Sequence, residues 1–376
     1  MSAKYRLVEN PPASRKEGVT ELHARIVASR TATMDDLAEE ISTISSFSPG
    51  DIRGLLTSFS EVIIRRLKNG ENVNLEDLAE VPNIEVSTTR DVRMPDLAGK
   101  VDVRWVKPDA DVWAVWASCI QASDAVWLIA PETDGVLEKL SRLAVSCGKA
   151  LIGCPPDMVA LAASKSRTGA VLASAGIRVV PTWQTADVAV SASVGPWVLK
   201  PDDGAGCEDT VCINDAVDLQ RAFEQNSQRR LMVIQPFVSG IPASLSMICR
   251  GGRAWLLSAN RQDVRLAGQD LVYYGGELNG MAAYWEVFEA LAGEIASALP
   301  DLAGYVGVDV IVNDADDVTV LEINPRLTTS YAAMRAATGL NPARLVLELF
   351  YNDVFTFPRT LQRQVVRVSL NETTSS

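Results

Sequence analysis

The sequence predicts an α/β protein, with a small parallel-sheet domain followed by a larger mixed domain and a helical segment in front of both. Two observations carry this. From about Ile84 short apolar strands alternate with helical stretches, the pattern of a parallel sheet with crossover helices. From about Lys165 the strands lengthen and two strong ones come in succession, Tyr305–Val312 and Val318–Ile323, with acidic residues set into them.

In order along the chain, Pro11-Pro12 and Gly18 break residues 1–32 into loop or irregular strand. Thr33 with Asp36 three residues later suits a capping box, and Leu37, Ile41 and Ile44 share one helical face. Ser48-Pro49 opens a second helix, whose apolar stripe runs from Ile52 to Ile63 before Asn69-Gly70 stops it. Strands are then expected at Ile84–Thr88, Val101–Val106, Ala125–Ala130 and Ala150–Gly153, with helices over 109–121 and 135–147. Further strands follow at Trp197–Lys200, Leu231–Phe237, Ser244–Arg250 and Ala254–Ala259, then a helix near 282–298. The expected domains are 1–80, 84–163 and 164–355, with 356–376 as a C-terminal tail that ends in a polar, disordered stretch.

Composition excludes several functions. The chain has 376 residues, enough for two or three domains, and a formal charge of −12, which argues against a nucleic-acid partner. Six cysteines without a C-x-x-C pair and a single histidine make a Cys/His zinc site improbable. No apolar run reaches the ~20 residues of a membrane span, and no leader opens the chain, so a cytoplasmic protein with reduced thiols is expected.

The most informative stretch is Gly304-Tyr-Val-Gly-Val-Asp-Val-Ile-Val, a turn over residues 313–317, then Val320-Leu-Glu-Ile-Asn-Pro-Arg. The Asn/Asp-rich turn favours a hairpin, which brings Asp309 near the Glu322/Asn324 end of its partner. Glu322 and Asn324 are two apart and share one strand face. Three oxygen ligands then converge beside a sheet, a set that suits Mg²⁺. The plainer reading, solvated polar residues on a hairpin, fits poorly with apolar neighbours on both strands, because an isolated buried carboxylate is costly.

In order and spacing Asp309, Glu322 and Asn324 resemble the metal triad of the ATP-grasp superfamily, and Asn324-Pro325-Arg326 is similar to its N-x-R ending. The resemblance implies an α+β ATP-grasp domain of two lobes behind a pre-ATP-grasp domain. It also implies ATP and Mg²⁺ as cofactors, with Mn²⁺ as an alternative ion. Arg326 would stabilise charge on the transferring phosphoryl group.

Two lysines fit the same family. Lys165 opens a helix that ends at Ala175-Gly176, and Lys200 ends the strand Trp197-Val-Leu-Lys. Lys200 is followed by Pro-Asp-Asp-Gly204-Ala-Gly206, so ammonium and backbone N–H groups could meet phosphate oxygens. Alone, Gly204 and Gly206 would more often mark a surface turn. Gln235-Pro236-Phe237-Val238 resembles the hinge whose main chain binds adenine, and a simple strand end with a core phenylalanine is the alternative. No acid follows that hinge to take the ribose.

Within the superfamily, three stretches look closest to the tyramine–glutamate ligases of methanofuran-type cofactor biosynthesis. They are Trp197-Val-Leu-Lys-Pro-Asp-Asp-Gly-Ala-Gly, Ser258-Ala-Asn-Arg-Gln262 and Glu322-Ile-Asn-Pro-Arg-Leu-Thr-Thr-Ser-Tyr331. The implied reaction joins the glutamate γ-carboxylate to an amine through an acyl-phosphate, with an amino acid and an amine as the small-molecule partners. Arg261, Gln262, Tyr273 and Tyr274 are candidates for a substrate-facing loop. The alternatives are another amino-acid or peptide ligase, or a nucleotide-binding protein without catalysis. A homodimer is compatible with all of these.

Residues 1–80 supply no opening strand and glycine-rich turn of the family. They resemble the front half of a histone-like (HU/IHF-type) domain, which offers a DNA-associated protein as the reading from a different class. Residues 1–83 carry ten Lys/Arg against thirteen Asp/Glu, poor for binding phosphates. The expectation is therefore a helical cap or fused half-domain.

Overall fold

The computed structural model describes residues 111–370 apart from 205, 228–229, 314, 316, 353 and 359–360, together with the backbone of four earlier strands. The two helices expected between Thr33 and Gly70 lie outside the described residues. The early strands are β1 (Tyr5–Glu9) and β2 (Leu22–Ile26), paired antiparallel, and β3 (Ile84–Thr88) and β4 (Val101–Trp105), paired parallel.

A second parallel pair, β5 (Ala125–Val126) and β6 (Ala150–Leu151), follows, shorter than the sequence suggests. Helix α1 (Val112–Ala122) starts at Asp111, which accepts from the Ala114 amide at 3.1 Å. Helix α2 (Val136–Ser146) buries Leu137, Leu140 and Ala144, the i, i+3, i+7 stripe of a helix packed on one side. Proline stands at the start of α3 (Pro156–Ala163), and Ser164 caps α4 (Lys165–Ser174) by accepting from the Arg167 amide.

The larger domain is built on one nine-stranded sheet in the order β14-β13-β10-β11-β12-β8-β7-β9, with β15 paired to β12 off this path. One part holds β7 (Trp197–Pro201), β8 (Val211–Ile213) and β9 (Met232–Pro236). Helices α5 (Ala186–Ala192) and α6 (Ala216–Ser227) pack on it around Trp197, Leu199, Leu219 and Ile234. The other part holds β10 (Ile241–Arg250), β11 (Arg253–Ala267), β12 (Asp270–Leu278), β13 (Gly304–Val312) and β14 (Val318–Asn324). The two parts meet along the sheet at one register pair, Asp270 with Val211. Two flanking amide bonds support it, Leu271 to the Thr210 carbonyl and Cys212 to the Gln269 carbonyl.

Alternation sorts the two faces of this sheet. Val306, Val308, Val310 and Val312 of β13 join Leu245 and Met247 of β10 under α7 (Trp285–Ala298), which contributes Trp285, Phe288 and Ile295. Each fully buried Leu or Phe contributes roughly 2 kcal/mol. The opposite face carries Tyr305, Gly307 and Asp309, and Tyr305 packs there with Ile248, Leu257, Met334 of α8 (Met334–Thr338) and Val346 of α9 (Pro342–Tyr351).

Two sequence expectations are corrected here. Residues 261–280, read as a substrate-facing loop, mainly continue β11 and form β12, a long antiparallel hairpin. The stretch read as tail contains β15 (Val366–Ser369), which pairs Gly275 with Ser369 and Leu278 with Val366. Gly275 allows that contact, since its φ is +128° and a Cβ would run into the Val368 carbonyl oxygen. Gly275→Ala should lower stability by about 2 kcal/mol or more. A denaturation midpoint unchanged from wild type would show that β15 does not hold the hairpin.

Candidate active site

The site begins with the β13–β14 hairpin. Its register sets Asp309 directly opposite Glu322 and Gly307 opposite Asn324. Val310 faces Val320, so Leu321 is an extra residue on β14, a bulge that re-aims Glu322 toward Asp309. Gly307 has no side chain because Thr328 lies against it, where a Cβ would come within 2.6 Å of the Thr328 methyl. The segment after Arg326 is thereby laid flat over the strand.

Two cations reach Glu322 from different elements. Lys165, the first residue of α4, puts Nζ 3.2 Å from Oε2, and Lys200 of β7 puts its Nζ 3.8 Å from the same oxygen. Both lysines are buried. Burial would raise the Glu322 carboxyl, but Lys165 and then Lys200 outweigh it and hold the group at about 2. Burial lowers Lys200, with Glu322 pulling the other way. Asp309 has the opposite fate. Burial first and the facing Glu322 carboxylate second push it up to about 7, against hydrogen bonds from Asn324 Nδ2 at 3.1 Å and Gln262 Nε2 at 2.8 Å.

Asp202 organises the start of α4. Its carboxylate accepts from Ser164 Oγ at 2.6 Å and the Ser166 amide at 2.8 Å, completing the helix cap. Lys165 Nζ also donates to the Gly204 carbonyl at 2.6 Å, tying the helix to the loop between β7 and β8. That loop runs through left-handed residues Gly206, Cys207 and Asp209. Gly204 therefore joins the lysine cluster, whereas Gly206 is exposed.

A residue absent from the sequence reading completes the site. Glu132, in the loop joining β5 to α2, accepts from Arg326 Nε at 2.8 Å, and both side chains are buried. Arg326 turns its other nitrogens to the Leu327 carbonyl at 3.2 Å and Asn324 Oδ1 at 3.4 Å. The next residues fasten the same loop to the loop after Lys200. Thr133 Oγ1 lies 3.4 Å from the Asp203 carbonyl, the Asp134 amide donates to Asp203 Oδ2 at 3.0 Å, and Arg230 pairs with Asp203 Oδ1 at 2.9 Å. The signal in sequence is the run Pro-Glu-Thr-Asp-Gly, which reads as an ordinary turn.

Of the four substrate-loop candidates, Gln262 reaches this centre, through Asp309. Arg261 is its neighbour on a strand and leaves the opposite face. Tyr274 stacks against the Arg265 guanidinium, 5.0 Å from the ring centroid, and Tyr273 lies on the β12 side of the hairpin. At the hinge stretch, Gln235 is buried and donates to Thr182 Oγ1 at 3.0 Å. Thr182 lines a small cavity of about 10 Å³ with Lys165, Leu172, Val180, Val320 and Glu322. The Phe237 amide binds the Pro196 carbonyl at 2.9 Å.

Two acids, one amide and bracketing cations form a hard-oxygen centre with charge to receive a phosphate and, on Asp309 and Glu322, a divalent ion. Residues 162–330 match the family model described as ATP-grasp domain, residues 84–159 that of the pre ATP-grasp 3 domain, and residues 1–81 that of an HU domain fused to wHTH, Ig, or glycine-rich motif. The fold and the site thus define an ATP-grasp enzyme.

The chain is 28% identical over 234 residues to a tyramine–L-glutamate ligase of Methanocaldococcus fervens, covering 62% of this chain and 68% of that one. It is 27% identical over 234 residues to the ligase of the same description from Methanocaldococcus jannaschii, covering 62% and 65%. More narrowly, it is an ATP-grasp ligase of the kind that forms a carbon–nitrogen bond between a carboxylate and an amine.

The fold is shared with the biotin carboxylase domain of Hydrogenobacter thermophilus 2-oxoglutarate carboxylase, solved with MgADP, ADP and bicarbonate. The TM-score is 0.61 at 13% identity, over 80% of this chain and 68% of that one. It is shared also with the L-amino acid ligase of Bacillus licheniformis, at TM-score 0.54 and 17% identity, over 72% and 68%. Among the described residues no helix is long and apolar enough to cross a membrane.

The opposed acids give a pH signature. With its folded value near 7 against 3.8 for the free group, Asp309 favours the fold when protonated and loses that contribution as pH rises from about 4 through 7. In metal-free protein, the melting-temperature gain of Asp309→Asn over wild type should therefore grow from pH 5 to pH 7.5 and then level off. A gain independent of pH would show that Asp309 is ionised throughout.

Proposed function

We propose that the enzyme activates the γ-carboxylate of glutamate with ATP as an acyl-phosphate and joins it to tyramine or a closely related amine, as in methanofuran-type cofactor biosynthesis. The observation that carries the chemistry is the convergence of Lys165 and Lys200 on Glu322, itself opposite Asp309. The activity of the two Methanocaldococcus relatives supports the substrate pair.

Asp309, Glu322 and Asn324 fit Mg²⁺, and the same oxygen set accepts Mn²⁺. The fit rests on Asp309, whose carboxyl is raised by burial and by the facing Glu322 carboxylate, and on a donor set of oxygens without sulfur or imidazole. A bound ion would supply positive charge to the transferring phosphoryl group. Lys165 and Lys200 then exchange Glu322 for phosphate oxygens, and the Gly204 segment follows Lys165. Pro236 has no N–H and Phe237 has given its own away, so the Pro236 carbonyl and the Val238 amide are the groups left to read the adenine edge. Arg326 faces the acyl-phosphate, where its charge counts most because water is excluded.

The reading is tested by ADP release with Mg²⁺, ATP and glutamate, with and without tyramine. Tyramine-dependent release is expected, abolished in Glu322→Ala and reduced about 10²- to 10³-fold in Arg326→Met. Release that depends on a different amine would keep the ligase and replace the acceptor. Failure to bind ATP would sink the nucleotide site.

The HU-type match favours a second reading for residues 1–81 alone, that of a DNA-associated module. Its net charge opposes this, so no salt-sensitive shift of duplex DNA is expected. A shift that weakens with added salt would overturn that expectation.

A further inference from the structure

Glu132 has an oxygen to spare. Oε2 serves Arg326 Nε, but Oε1 is buried and has no hydrogen-bond partner among the described residues. A carboxylate whose only task was to hold an arginine would use both oxygens in the paired fork that guanidinium geometry offers. Here the contact is single, because the other nitrogens of Arg326 are turned to Leu327 and Asn324. A buried, unpaired carboxylate oxygen is costly to keep and points to a ligand that donates to it.

Its position says which ligand. Glu132 lies in the loop joining β5 to α2 and touches Arg326 from the amino-terminal domain, whereas Lys165 and Lys200 are engaged with Glu322. Resting on the ligase reading above, we infer that Glu132 Oε1 is the docking site of the acceptor's ammonium group, next to the carbon it must attack. A primary amine is positively charged at neutral pH, and a carboxylate is the group that binds it. The acceptor enters when the contacts of Thr133 and Asp134 to Asp203 part.

The step balances. Glu132 Oε1 takes one proton from the ammonium, which leaves a neutral amine with a lone pair. The nitrogen attacks the acyl carbon, the C–N bond forms, and the bond from that carbon to the phosphate oxygen breaks. Inorganic phosphate departs with the bonding electrons and the second nitrogen proton. Glu132 passes its own proton to water when the site opens.

The test separates this role from support of Arg326. Glu132→Gln keeps an oxygen for Arg326 Nε and loses the negative charge. With ATP, glutamate and hydroxylamine, a small neutral nucleophile that needs no ammonium site, the variant's loss of glutamyl hydroxamate formation should be about ten-fold smaller than its loss of amide formation with tyramine. With tyramine, KM for the amine should rise at least ten-fold while KM for ATP stays, and Glu132→Asp should recover part of the loss. Equal falls in hydroxamate and amide formation, or an unchanged KM for the amine, would overturn the assignment while leaving the ligase reading intact. Absence of hydroxamate in the wild type would sink the ligase reading and this assignment together.

Discussion

The molecule depends on one carboxylate. Glu322 is half-buried, and its charge is stable there because two ammonium groups meet it. Those groups come from the first turn of α4 and from the end of β7, so a single oxygen gathers elements far apart in sequence. Take away either lysine and the remaining groups are a desolvated acid and a mismatched cation. The bulge at Leu321 is what makes the gathering work, since it turns Glu322 onto the face where Asp309 already lies.

That arrangement creates a second tension. Two acids stand in register with two lysines close to only one of them, so Glu322 is held ionised and Asp309 is held toward its neutral form. A centre of this kind is poised to accept positive charge on one side and negative charge on the other. Arg326 extends it toward the amino-terminal domain, and the Glu132 loop closes it from there, fastened at one end to Arg326 and at the other to Asp203. The catalytic surface therefore belongs to neither domain alone.

Much of this was legible in the chain. The hairpin with Asp309, Glu322 and Asn324 followed from two-residue alternation and an Asn/Asp-rich turn, and α4 from a helix opened by Lys165 and stopped at Ala175-Gly176. The long β11–β12 hairpin was not, because glycines at 275, 276 and 280 look like loop, and a register slip between Asp263 and Val264 breaks the alternation. Strand β15 is only four residues and exists through its pairing with β12. Glu132 was invisible for a different reason, since nothing local distinguishes it and its partner lies 194 residues away. The residues between Thr33 and Gly70 carry helical periodicity in their sequence, and periodicity of that kind does not specify a task.

The seam between the two parts of the sheet has a mechanical meaning. Strands β8 and β12 share one register pair, whereas β10, β11 and β13 are laced together over most of their lengths. A twist applied to the sheet concentrates at Asp270 and Val211, where few bonds resist it. Away from that line the part bearing Lys200 is joined to the part bearing Asp309 and Glu322 through the segment 179–183, which bridges Val320 to Ile234. The ion pair of Lys200 with Glu322 therefore crosses the seam and ties the two parts where the strand ladder does least.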